Sequence, residues 1–118
     1  FDQILKIPMF RVIIALLALL GAVTSSSIPV SSYDNLKCSG TADSFTFTNG
    51  TCASVTWQGQ TYGEVVECHE ASPHSAWRLI VHVNDPTCQG PPSFISSGKS
   101  GACTPFSINS IVVDCSSA

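Results

Sequence analysis

The sequence predicts an all-β protein, a small disulfide-stapled antiparallel β-sandwich or barrel of about six or seven strands. Three observations carry that expectation. After Ser27 no stretch repeats its apolar residues with a helical period. Runs rich in β-branched and aromatic residues recur instead about every ten residues, separated by Gly, Pro and Asn. The six Cys (Cys38, Cys52, Cys68, Cys88, Cys103 and Cys115) leave gaps of 13, 15, 19, 14 and 11 residues, each long enough for a strand and a turn.

Residues 27–37 read as an extended arm ahead of a six-Cys β-domain over 38–118. Pro29 opposes helix, and Ile28 and Val30 point the same way if the backbone is extended. No Cys ties down Ser27–Tyr33. The arm is therefore expected to add as a strand to the sheet of a neighbouring copy, with Ile28 and Val30 filling pockets there and repetition giving a filament.

Next, Ser44–Thr48 alternates Phe45 and Phe47 with polar residues, and Asn49-Gly50 separates it from the β-prone Thr51–Trp57. Asn-Gly between two such runs is the strongest short hairpin signal, a type I′ turn, and places Phe47 opposite Cys52. Gly59 and Gly63 bracket the next reversal, followed by strands over Tyr62–Cys68 and Trp77–Asn84. In the latter Trp77, Leu79, Val81 and Val83 share one face, while Arg78, His82 and Asn84 share the other. Asp85-Pro86 and Gly90-Pro91-Pro92 are turns, Ser93–Ser96 is a short strand, and Phe106–Cys115 ends the domain as a strand with Ile111, Val113 and Cys115 on one side.

Ahead of this domain, residues 9–26 have the pattern of a secretory signal peptide, with residues 1–8 as an upstream remnant. Arg11 supplies the basic start, Val12–Val23 is uncharged and apolar, and small residues at Ala22/Thr24 or Val23/Ser25 offer cleavage positions. The run is short for a membrane crossing, so no membrane span is expected in the mature form. The alternative is a retained apolar helix that packs against copies of itself. Export and an even Cys count together imply a disulfide framework in an extracellular setting. The absence of Cys-x-x-Cys argues against zinc or redox use. Pairing is not fixed by sequence; Cys88 with Cys103, and Cys115 with an earlier strand, are the expected links.

Charge narrows the function classes. Only 11% of residues are charged and mean hydropathy is +0.28. From Ser27 onward Lys37, Arg78 and Lys99 stand against seven acidic residues, a net of −4. That balance argues against a nucleic-acid partner.

Candidate chemistry is sparse. Asn49-Gly50-Thr51 is an N-glycosylation sequon at the expected hairpin tip. His69, Glu70 and His74 do not have the spacing of a helical zinc-peptidase motif, Pro73 interrupts them, and with His82 they are expected to face solvent. Glu64, Glu67 and Glu70 would serve glycoside chemistry only if a groove brought two of them together. There is no Gly-x-Ser-x-Gly elbow and no Gly-rich phosphate loop. No catalytic residue, metal or cofactor is therefore assigned, and the chain is read as a non-enzyme. Trp57, Tyr62 and Trp77 are of a type that stacks on sugars, but Trp77 falls in register with Leu79, Val81 and Val83 and reads as core.

The widely spaced Cys and Ser/Thr-rich strands resemble, in texture, the small secreted cysteine-rich proteins of microbial eukaryotes. The likeness spans the mature chain and carries over no functional residue. It implies extracellular residence, with either a coat, matrix or filament role or an effector-like binding role. The expectation is a self-assembling structural subunit whose partner is its own copies, with an N-linked glycan at Asn49. The alternative is a monomeric binder such as an effector, protease inhibitor or small lectin, presenting the Cys88–Cys103 segment or Trp57.

Overall fold

A computed structural model describes residues 26–118. The expectations for residues 1–8, and for 9–26 apart from Ser26, lie outside the described residues. The described chain is all-β, with eight strands: β1 (Ile28–Tyr33), β2 (Asp43–Phe47), β3 (Ala53–Trp57), β4 (Gln60–Cys68), β5 (Ala76–Val83), β6 (Phe94–Lys99), β7 (Thr104–Phe106) and β8 (Asn109–Val113). They form two four-stranded sheets, ordered β2-β1-β8-β7 and β3-β4-β5-β6, and every neighbouring pair is antiparallel. The strand count exceeds the expected one because Phe106–Cys115 is not continuous. A two-residue turn, Ser107-Ile108, folds it into the β7–β8 hairpin, with Phe106 opposite Asn109.

The first strand is not a free arm. β1 lies inside its own sheet, pairing Ile28 with Phe47 of β2 and Val30 with Val113 of β8. Ile28 is 0% and Val30 6% exposed. The physical reason is that these two side chains complete the core of their own domain, which leaves neither of them free to fill a neighbour's pocket. Pro29 is tolerated in this interior strand because its carbonyl accepts from the Asp114 N–H. Its missing N–H therefore falls on the same side, past the last residue of the β8 ladder, and removes no bond to β2.

The Asn49-Gly50 hairpin does not form either. β2 and β3 belong to different sheets, and Phe47 faces Ile28 rather than Cys52. A type I′ turn needs positive φ at both central residues, and of this pair only Gly50 has it. The segment is a crossover between sheets. Its strand-like contacts come from elsewhere: Asn49 Oδ1 accepts from Cys68 N, Asn49 Nδ2 donates to Cys68 O, and Gly50 N donates to Val66 O. The two-residue turn with positive φ at both positions is instead Gln58-Gly59, joining β3 to β4 at the Trp57–Gln60 pair.

All six Cys are paired, as Cys38–Cys103, Cys52–Cys88 and Cys68–Cys115. The expected Cys88–Cys103 link is wrong. The segment after β5 turns back over the outer face of its sheet, which puts Cys88 beside Cys52 at the start of β3. Cys115 does reach an earlier strand. Its bond to Cys68, at the end of β4, joins the two sheets at one end of the sandwich.

The core lies between the sheets. Val66, Trp77, Leu79 and Val81 project from one and Ile28, Phe47, Ile111 and Val113 from the other. Gly98 of β6 makes room for Trp77, since a Cβ there would meet the indole ring at 2.7 Å.

Candidate functional site

The two sheets are stapled at the Cys68–Cys115 end, and at the opposite end residues of the β3–β4 and β7–β8 turns line the same space. Between them is a cleft of about 390 Å³, in the range of small-molecule sites. Its floor is apolar and buried, built from Val30 and Ile111 on one sheet and Val66, Leu79 and Val81 on the other. Its mouth carries Trp57 and Val83 on one lip and Phe106 and Ile108 on the other, with Phe94 beside them. Ile108, at the tip of the β7–β8 turn, is 77% exposed and Phe94 is 42% exposed. The Phe94 and Phe106 rings lie 5.2 Å apart, so the edge strands β6 and β7 touch across the sandwich on that side.

Among the described residues one carboxyl lines this cleft. Strand periodicity puts Gln60, Tyr62, Glu64 and Val66 of β4 on the same inner face. Glu64 is half-buried between Ala53 of β3 and Val81 of β5, its register partners. Among the described residues it has no ion-pair or hydrogen-bond partner, and no Lys, Arg or His lines the cleft. Burial pushes its carboxyl above the usual carboxylate range, because the charged form loses hydration that nothing nearby replaces.

The remaining sequence candidates are dispersed. Glu67, three residues from Glu64, falls on the opposite face of β4, where its Oε1 accepts from Arg78 at 2.6 Å on exposed surface. Glu70, His69 and His74 sit exposed in the turn between β4 and β5. No two of the three Glu meet in a groove. Among the described residues no group of three His, Cys, Asp or Glu is placed to hold a metal ion. His82 departs from the solvent-facing expectation, being 6% exposed. The Asp85–Gly90 loop folds over it, with Asp85 Oδ2 3.5 Å from His82 Nδ1. Asp85 is held in turn by the N–H groups of Gly90 and Gln89, which lower its pKa from the ordinary value. The close approach of this loop requires Gly63 of β4, where a Cβ would meet Asp85 O at 2.1 Å.

Asn49 is exposed at the crossover, with its amide lying along the backbone of Cys68. Trp77 is core, at 2% exposed, as its register indicates. Trp57 and Tyr62 line the cleft. The sequence offers Glu64 only as one of three Glu that a groove might pair; its parity with Tyr62, Val66 and Cys68 is the signal that sets it inward and alone. Among the described residues no helix is long and apolar enough to cross a membrane. The chain matches no protein-family model, no curated protein and no solved structure.

Proposed function

We propose that this chain is an extracellular, non-enzymatic binding protein that holds a small, largely apolar molecule between its two sheets. The observation that carries the reading is the cleft itself, with an apolar floor, an aromatic mouth and a single inward carboxyl at Glu64. A core built for stability alone would fill that volume, because empty apolar space forfeits dispersion and transfer energy. Three disulfides are compatible with an oxidising exterior. The proposal is tested by titrating the purified protein with Nile red. Saturable binding of about one dye per chain is expected, and it should be lost in Val83→Trp, which fills the mouth. Absence of saturable binding, or equal binding by the folded V83W variant, would overturn the reading.

Self-assembly is the second reading, supported by the outer edge of β6, an edge strand that exposes Phe94 and Ile95. Such an edge offers unpaired backbone groups to another chain. Size-exclusion chromatography and electron microscopy of concentrated protein decide it. Polymers that disappear in Ile95→Lys support assembly through this edge, and a dispersed monomer at high concentration removes the idea.

A further inference from the structure

The polar end of the ligand follows from Glu64, the one carboxyl lining the cleft among the described residues, and from what surrounds it. On Glu64's own strand the inward neighbours are Tyr62 and Val66; β3 contributes Ala53 and Val55, and β5 contributes Val81. From the opposite sheet come Val30, Phe45 and Ile111, so that Tyr62 is the one other titratable group at the cleft wall among the described residues. A carboxylate ligand would bring a second negative group into this low-dielectric space with no cation to receive it. A hydroxyl would donate a single hydrogen bond. A protonated amine offers several donors and a full opposite charge, and Tyr62, the next inward residue on the same strand, sets an aromatic ring beside it.

We propose that the cleft selects small apolar molecules that carry a protonated amine, the apolar part lying along the floor and the ammonium resting on the Glu64 carboxylate. This rests on the ligand-binding reading above and names its ligand class. Proton balance sets a pH dependence. In the empty cleft, burial retains a proton on Glu64 above the usual carboxylate range. Arrival of an ammonium favours the ionised carboxylate, so that proton leaves to solvent. Affinity for an amine therefore rises as pH rises through the raised value and levels off above it, while an alkyl ammonium, with a pKa near that of Lys at about 10.4, stays charged throughout.

The test compares decylamine, decanol and decanoate, which share one tail and differ in the head, by calorimetry and by displacement of Nile red. Decylamine is expected to bind at least about tenfold more tightly than decanoate at neutral pH. Glu64→Gln should weaken the amine by about ten- to thirtyfold, since it leaves the ammonium partly buried without its partner, and should weaken decanol by several-fold less, since the Gln amide oxygen still accepts a hydroxyl's hydrogen bond. If E64Q does not fold, the head-group order and the pH series of the wild-type protein stand as the test. Equal binding of all three heads, or preference for decanoate, overturns the amine assignment while leaving the apolar site intact. Failure of all three and of Nile red to bind the folded protein removes the site and this inference with it.

Discussion

Removing the staple between the sheets, with Cys68→Ala and Cys115→Ala together, tests what the sandwich depends on. The bond closes a loop with a sequence separation of 47. The chain-entropy relation for a loop of that length gives about 4 kcal/mol at 25 °C, acting through the denatured chain. Both residues are also in the core, Cys115 at 0% and Cys68 at 7% exposed, so the truncated side chains add roughly 1 kcal/mol of lost packing. Against a total stability of about 5–15 kcal/mol for an ordinary domain, that is a large fraction. The thermal midpoint should fall by roughly 20–40 °C. The assay is urea unfolding at low temperature, followed by tryptophan fluorescence, with Cys52→Ala/Cys88→Ala as the comparison. That second pair has a sequence separation of 36, which also corresponds to about 4 kcal/mol of denatured-state entropy. The two doubles should therefore lose similar stability. They should differ in Nile red binding under folding conditions: the inter-sheet bond anchors the closed end of the cleft, whereas Cys52–Cys88 clamps a loop on an outer face. A loss below about 1 kcal/mol from the inter-sheet double, or identical Nile red behaviour of the two, would refute this reasoning.

Three further perturbations follow from single residues. Glu64 has a raised folded pKa, so wild-type stability is full below the unfolded value of about 4.3 and declines as pH rises through the folded value. Glu64→Gln should consequently raise the thermal midpoint at neutral pH, with the gain vanishing near about pH 4; a gain that persists in acid would contradict a charge origin. Gly63→Ala should destabilise by about 1–3 kcal/mol, because its Cβ would sit 2.1 Å from Asp85 O and must lift the loop; hydrogen exchange should then quicken at Cys88 and Gln89, and unchanged protection there would refute the contact. Asn49→Ala should cost about 1 kcal/mol by freeing the Cys68 N–H and C=O; in a glycosylating host the wild-type protein should also lose mass on treatment with peptide N-glycosidase, and a mass equal to the bare chain would remove the glycan.

Much of the fold was legible in the sequence because period-2 patterning is a local property. Trp77, Leu79 and Val81 alternate inward as their spacing indicates, and Ile111, Val113 and Cys115 do the same on the other sheet. What failed was partner choice. Asn49-Gly50 has the composition of a hairpin turn, but which strand Phe45 and Phe47 join is settled by Ile28 and Val30, whose burial against them outweighs a local turn preference. The arm differs from expectation for the same reason: a strand without Cys looks untethered in sequence, whereas β1 is held by ladders on both sides. The partner of Cys88 is not legible in sequence, because a disulfide reports three-dimensional proximity and nothing in a linear gap says that a loop folds back over Gly63. The burial of His82 depends on that same loop, which covers one position of a polar strand face whose Arg78 and Asn84 stay exposed.

The cleft has a cause in how unequal the two ends of the sandwich are. At the stapled end the inward positions are Ile28, Phe47, Val66, Trp77 and Val113, which meet and exclude water. At the hairpin end the inward positions of β4 become Gln60, Tyr62 and Glu64, and β8 begins with the buried polar Asn109. These side chains offer less apolar surface to draw the sheets together, and a carboxyl resists enclosure because its charged form must keep some water. The half-buried Glu64 that lines this space is also the group on which its proposed chemical preference rests. A carboxyl between Tyr62 and Val66 breaks the apolar run of inward positions on β4, and such breaks in an otherwise consistent sequence are expected where a protein binds something. Here the ligand's own charge supplies what the wall lacks: an ammonium on Glu64 would neutralise the buried carboxylate and bring apolar surface to the floor residues, making the filled cleft the better-packed state.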